Sequence, residues 1–225
     1  MISIDPSSSK TALWRGVLLQ YASLLAALLV LVIAFSLKTE HFLSVTTLRT
    51  IANQIPDAVL LATGMTFVMI VGGIDLSVGS VMALSGALLG VCLAQWHWPL
   101  LPSILFCLLA GATCGLANGL VSVKWKLPSF IVTLGMLEIA RGATYLVTKS
   151  QTVYIGASVE RISSVSLGGI SLPFACAVFA VIAAHIALTK MLWGRYAMAV
   201  GANEEAVRYS GINPRPIKIS VFVLS

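Results

Sequence analysis

The chain has 225 residues, 58% of them hydrophobic and only 10% charged, with a mean hydropathy of +0.97. A water-soluble domain carries about a quarter charged residues, so this composition excludes a disordered chain and a soluble single-core domain. It leaves an all-α, polytopic membrane protein, with a formal net charge of +6 from 14 Lys and Arg against 8 Asp and Glu.

A helix crossing the hydrocarbon layer needs about 20 apolar residues at 1.5 Å each. The first predicted span lies between Arg15 and Lys38, centred on Leu24–Phe35. It is longer than a signal-peptide core and no A-x-A-like site follows Phe35, so a retained anchor is expected. The second span is Ala58–Ile74. From Leu76 to Val123 there is no Asp, Glu, Lys or Arg, too long a run for one helix. Trp96-His97-Trp98-Pro99 divides it, because indole rings beside a proline suit a turn at headgroup level. That gives a third span, Leu76–Gln95, and a fourth, Leu100–Val123. The fifth, Leu127–Thr148, carries Glu138 and Arg141, and the sixth is Ile170–Leu192. A polar stretch follows to about Ile217, and Lys218–Ser225 starts another apolar run. The expectation is a transmembrane bundle of six complete spans plus the start of a seventh.

With the amino terminus inside, the inner segments hold Lys10, Arg15, Lys124, Lys126, Lys190, Arg195, Arg208, Arg215 and Lys218, which is nine cations. The outer segments hold Lys38, Arg49, Lys149 and Arg161, which is four. This positive-inside bias predicts a cytoplasmic amino terminus and a cytoplasmic 193–217 stretch. The Ser/Gly-rich segment Lys149–Gly169 is then an outer loop.

No catalytic or nucleotide-binding motif is present, so no enzyme is expected. Cys92, Cys107, Cys114 and Cys176 all lie in apolar runs without CxxC spacing, which predicts neither disulfide nor metal site. His41, His97 and His185 are isolated, and His185 reads as a helix-packing residue. No cofactor and no nucleic-acid partner is expected. Energy for transport must then come from an ion gradient or from a partner subunit.

Gly86 and Gly90, then Gly111, Gly115 and Gly119, form four-residue ladders whose missing side chains let helix backbones approach closely in lipid. The segment from Gly72 to Ser80 breaks the apolar pattern. Its glycines can end span two in left-handed geometry and Asp75 can cap span three. The same break, with Asp75 and Ser77, can instead expose backbone and hydroxyls along a solute path. Glu138 and Arg141, at i,i+3 on one helix face, can neutralise each other. A charge at mid-bilayer costs about 2.5–3.5 kcal/mol on insertion scales, so the pair reads either as buried between helices or, with Asn118, as the polar lining of a path.

Gly201 to Pro214 reads as a short helix with both ends marked. Asn203 is a good N-cap, Glu204 and Glu205 sit at the positive end, Gly211 is a good C′ stop, and Pro214 prevents continuation. Such a helix, about 10 Å long, is too short to be stable alone. It reads as a solvated loop or, preferably, as a docking helix for a cytoplasmic partner.

Three blocks in order carry a family resemblance. They are Gly64-Met65-Thr66 through Gly73-Ile74-Asp75-Leu76-Ser77-Val78-Gly79-Ser80; Asn118-Gly119 through Phe130-Ile131-Val132-Thr133-Leu134-Gly135 to Ala140-Arg141-Gly142; and G-x-N-x-x-A-x-x-x-S-G-I at Gly201, Asn203, Ala206, Ser210, Gly211 and Ile212. Together they resemble permease subunits of ribose/xylose-type bacterial ABC importers, of the branched-chain amino acid/ribose permease family. Val207 stands where a second alanine is common, Ser129 where proline or alanine is common, and Glu138 is less typical than Arg141. The resemblance implies a multi-pass inner-membrane permease domain over 1–225, with 193–217 as its coupling loop. It implies a sugar-like solute, a second permease subunit, cytoplasmic ATP-binding subunits and a periplasmic sugar-binding protein. It further implies that Gly201, Asn203, Glu204, Glu205, Ala206, Arg208, Ser210 and Gly211 couple to the ATPase. Family members continue with further spans, so a chain cut short at its C-terminus is expected. The alternatives are an ion-coupled transporter using Asp75, Glu138 and Arg141 as a relay, and a membrane assembly subunit that transports nothing.

Overall fold

The computed structural model describes residues 6–39, 41–155, 159, 166–167 and 170–225. Its elements in chain order are α1 (Pro6–Lys38), α2 (Val45–Ile70), α3 (Val78–Ala94), α4 (Leu100–Lys124), α5 (Ser129–Thr148), a two-residue antiparallel ladder of β1 (Ser166–Leu167) with β2 (Ile170–Ser171), α6 (Leu172–Lys190), α7 (Leu192–Ala202), α8 (Glu204–Tyr209) and α9 (Pro214–Leu224). Four described helices are long and apolar enough to cross a membrane: α1 from Tyr21, α4, α5 and α6. The expected six-span count is not reproduced by length and composition alone. The first half of α2 holds Arg49, Asn53, Gln54 and Asp57, and α3 is only 17 residues long because the chain is not helical from Gly73 to Ser77.

The chain divides into two compact units, residues 1–52 and 53–225. In the first, the turn into α2 is fixed by polar contacts. Ser44 Oγ accepts the Thr47 N–H at 3.2 Å, as an N-cap does, and Thr47 Oγ1 donates to the His41 carbonyl at 2.8 Å. The rings of Phe35 and Phe42 stack at 5.6 Å.

In the second unit, helix faces that would be wasted on water are apolar and exposed, as lipid requires: Leu101, Leu108 and Leu109 on α4, and Phe179 and Ile182 on α6. The buried core gathers around α9. Ile217, Val221 and Phe222 lie on one stripe of that helix and pack with Phe67, Val68 and Val71 at the end of α2, Ala197 and Val200 on α7, and Val207 on α8. Pro214 occupies the first helical turn of α9, where its missing N–H costs nothing, and Asn213 Oδ1 accepts the Arg215 N–H at 3.1 Å. Trp193 closes the core's edge. Its ring lies 5.4 Å from that of Phe67 and its Nε1–H donates to Ser220 Oγ at 2.7 Å.

Glycines set the helix spacing. A Cβ on Gly115 would run into the Phe222 carbonyl, and one on Gly119 would sit 3.0 Å from Ile219 Cα, so α9 lies directly on the α4 backbone. A Cβ on Gly111 would lie 3.5 Å from Ser85 Oγ on α3, and one on Gly90 3.1 Å from a Val153 methyl. Gly86, expected in the same ladder, has open space around it. The α3–α4 turn is built as its sequence suggests: the Trp98 N–H donates to the Cys92 carbonyl at 2.9 Å, and the rings of Trp96, Trp98 and Phe106 cluster at 5.4–6.4 Å.

Candidate functional site

The break between α2 and α3 begins with a closed helix end. Gly72 has φ +75°, its N–H donates to the Met69 carbonyl at 3.0 Å, and the Gly73 N–H donates to the Val68 carbonyl at 2.9 Å. These two bonds with a left-handed glycine make a Schellman stop. The extended segment after it is held by α5. The Ile74 N–H donates to Ser129 Oγ at 2.9 Å and the Leu76 N–H to Thr133 Oγ1 at 3.1 Å. Ser129 and Thr133 are one helical turn apart, so two successive hydroxyls of α5 clamp alternate amides of the strand-like segment.

Asp75 is buried at 2% exposure. Its Oδ1 accepts both the N–H (2.8 Å) and the Oγ–H (2.7 Å) of Ser77, and its Oδ2 accepts from Ser225 Oγ at 3.1 Å. Ser77, not Asp75, is the N-cap residue of α3, so the carboxylate supports the helix start from two residues upstream. Asn118 on α4 completes the cluster: its Nδ2 donates to Ser77 Oγ at 3.0 Å, while its buried Oδ1 has no partner among the described residues. Asp75 and Ser77, expected at the helix break, and Asn118, expected with Glu138 and Arg141, therefore form one hydrogen-bonded group. They line a cavity of about 350 Å³ with Ser85 and Ser225 and with apolar side chains such as Val81, Ile104 and Leu108. An orphaned amide oxygen and a carboxylate in an apolar-walled cavity suit an uncharged donor ligand.

Thr133→Val is expected to remove the partner of the part-buried Leu76 N–H, at a cost of about 1 kcal/mol. At about 2–4 °C per kcal/mol for a chain of this size, the detergent-solubilised protein should melt a few degrees lower. Thr133→Ser should restore the melting temperature, and an unchanged value for the valine variant would remove Thr133 from the clamp.

Glu138 and Arg141 do not join this group. They pair with each other at 3.2 Å, but on the outer surface of α5, with side chains 67% and 54% exposed. The expectation of a pair buried between helices of this chain is therefore corrected. Neither residue lines the cavity that holds Asp75.

The 193–217 stretch is more structured than the expected loop. Its first part is the helix α7, whose Gly194, Ala197 and Val200 are buried at three-residue intervals. Gly194 lies against the backbone of Ala187 and Leu188, and Gly201 against the Ile70 carbonyl, both too close for any side chain. This helix was missed because two of its three buried positions are Gly194 and Ala197, whose small side chains signal burial only weakly. The three-residue repeat of Gly194, Ala197 and Val200 is the signal that could have revealed it.

The short helix α8 has its expected ends. Asn203 Oδ1 accepts the Ala206 N–H at 2.9 Å. Gly211 takes φ +83°, and its N–H and that of Ile212 donate to the carbonyls of Arg208 (3.1 Å) and Val207 (3.3 Å), a second Schellman stop. Ser210 Oγ returns to the Ala206 carbonyl at 2.9 Å. Val207 is the inward anchor, buried against the core around α9, and Glu204 bonds Lys218 of α9 at 2.8 Å. Glu205, Arg208 and Tyr209 remain on the outside, with Glu205 and Arg208 3.9 Å apart and the Arg208 guanidinium 5.8 Å from the Tyr209 ring centre. A helix of six residues is thus fixed at both ends and at one buried side chain, and it presents a charged face outward.

Residues 47–225 match the family described as branched-chain amino acid transport system / permease component. The chain belongs to this family. It is 32% identical over 225 residues to the L-arabinose ABC transporter permease protein AraH of Azospirillum brasilense, covering 99% of this chain and 65% of that protein. It is 36% identical over 206 residues to the ribose import permease protein RbsC of Haemophilus influenzae, covering 88% and 63%, and 32% identical over 193 residues to the fructose import permease protein FrcC of Rhizobium meliloti, covering 82% and 54%. The chain therefore spans about two thirds or less of the length of these relatives. No solved structure matches it. Family membership and the apolar helices make it a multi-pass inner-membrane protein, and a permease component is a non-catalytic one.

Proposed function

We propose that the chain is the permease subunit of an ATP-driven importer of sugars, moving its solute by alternating access. The observation that carries this is α8: a short helix capped at both ends, anchored by Val207 in the bundle core, with Glu205 and Arg208 turned outward. Force applied to such a helix is passed to the core around α9, because its buried side chain belongs to the cluster that α9 shares with the end of α2. In this reading α8, with Gly201, Asn203, Glu204, Ala206, Ser210 and Gly211 shaping it, seats on a cytoplasmic ATP-binding subunit. The amino terminus lies in the cytoplasm, α1 to α6 are six spans and α9 starts a seventh. A second permease subunit and a periplasmic sugar-binding protein complete the assembly. The relatives are named for arabinose, ribose and fructose, and a neutral, hydroxyl-rich solute suits the Asp75–Ser77–Asn118 cavity. Glu138 and Arg141, too costly to leave against hydrocarbon, are assigned to the polar surface between the permease subunits. A relay linking them to Asp75 draws no support from their separate placement.

The test is uptake of labelled pentose or hexose by proteoliposomes holding the permease, an ATPase with tandem Walker motifs and a sugar-binding protein from the same gene cluster. Uptake should require ATP and persist with an uncoupler. Uptake that survives without ATP and stops with an uncoupler would replace this reading by ion coupling.

A further inference from the structure

The face of the bundle next to α8 carries an open groove of about 730 Å³. It runs between the end of α4, the α4–α5 turn, α8 and the start of α9. Four cations line it, Lys126, Arg208, Arg215 and Lys218, against one carboxylate, Glu204. Glu204 is already taken by Lys218 at 2.8 Å and Arg208 lies 3.9 Å from Glu205, so Lys126 and Arg215 face the groove with no carboxylate partner among the described residues. Ser122, 9% exposed, also borders it, and its Oγ has no hydrogen-bond partner among the described residues. Excess positive charge around an unused hydroxyl is the chemistry of a phosphate site.

Its depth decides the source of the phosphate. The groove opens where α4, a helix of membrane-crossing length, ends at Lys124 and α5, another, begins at Ser129. Trp125, 65% exposed, stands between Lys124 and Lys126, as tryptophan does at headgroup level. Val123, Leu127 and Pro128 give the groove an apolar wall on the same side. We infer that it holds the headgroup of an anionic phospholipid from the leaflet, with Lys126 and Arg215 as its principal contacts and Ser122 as a donor. This rests on the membrane placement proposed above, but not on transport.

The 225-residue chain, in mild detergent, is mixed with dioleoyl phosphatidylglycerol or dioleoyl phosphatidylcholine and retained lipid is counted by native mass spectrometry. Phosphatidylglycerol should be retained about tenfold better. Lys126→Gln with Arg215→Gln should cut that preference at least about fivefold, and Ser122→Ala about two- to threefold, while Lys38→Gln leaves it unchanged. Equal retention by the double variant and the parent, both eluting as single species, would overturn the proposal. So would displacement of the lipid by an equal concentration of glycerol 1-phosphate, which would assign the groove to a free phosphate. A need for Lys126 and Arg215 in binding the ATPase subunit from pure phosphatidylcholine nanodiscs would overturn it in favour of a protein contact. Loss of uptake with lipid preference intact would remove the transport reading and leave this one standing.

Discussion

Gly115→Val should nearly abolish the packed form of the second unit, whereas Gly86→Val should leave it unchanged. A Cβ at Gly115 meets the carbonyl carbon and oxygen of Phe222 and the Cα of Val223, all backbone atoms of α9, so no side-chain rotation relieves the overlap. Separating the two helices would pull Ile217, Val221 and Phe222 away from Val68 and Phe67 at the same time. Overpacking alone costs about 1–3 kcal/mol, and 1–2 kcal/mol is a factor of about 5–30 in the folded-to-unfolded ratio. Yield of the monodisperse species by size-exclusion chromatography should fall at least by that factor. At Gly86 an added Cβ meets no atom within 4 Å and would face lipid or open space. If both variants elute alike, the α4–α9 seam is not what holds this unit together.

That contrast shows what a glycine ladder does and does not tell. Gly86, Gly90, Gly111, Gly115 and Gly119 share the same spacing, yet only partner helices decide which of them lie at a contact, and α9 is a hundred residues further along. The helix ends were easier to read, since a cap is a local event. Asn203, Gly211 and Gly72 do what their residue types favour within three or four residues of the chain. The turn at Trp96–Pro99 belongs with them.

The polar centre was legible only in part. Asp75, Ser77 and Asn118 stood out because polar groups in apolar runs need partners. Ser129 and Thr133 did not, because a hydroxyl near a helix start ordinarily bonds its own helix, and nothing local says that these two bind the amides of a segment more than fifty residues earlier. For Glu138 and Arg141 the spacing gave the pairing and not the side. An i,i+3 pair neutralises itself equally well inside or outside the bundle, so its exposure could come only from the packing of α5. α7 was hidden for the opposite reason: Gly194 and Ala197 have almost no apolar side chain with which to signal a buried face.

Reversing the outer charge of α8 with Glu205→Lys is expected to uncouple ATP hydrolysis from uptake in the complete importer while leaving insertion and stability intact. Glu205 is 75% exposed and its one described ionic contact is the 3.9 Å approach to Arg208, a pair worth little at the surface. The bundle therefore loses almost nothing, and a defect has to arise at whatever covers that face. A charge reversal at a docked contact that weakens seating by about 1.4 kcal/mol lowers its equilibrium tenfold, so uptake should fall about tenfold or more with ATPase turnover maintained. Gly211→Pro approaches the same helix from the opposite direction. Proline fixes φ near −65° where Gly211 stands at +83°, and it deletes the N–H that bonds the Arg208 carbonyl. Ile212 would then swing away from the core, and α8 would lose its inner registry while keeping its outer charges. If α8 transmits motion, both changes stop uptake, one at the outer contact and the other at the inner anchor. If Glu205→Lys transports normally while Gly211→Pro merely lowers the melting temperature, α8 is a structural cap on the bundle and the partner grips elsewhere.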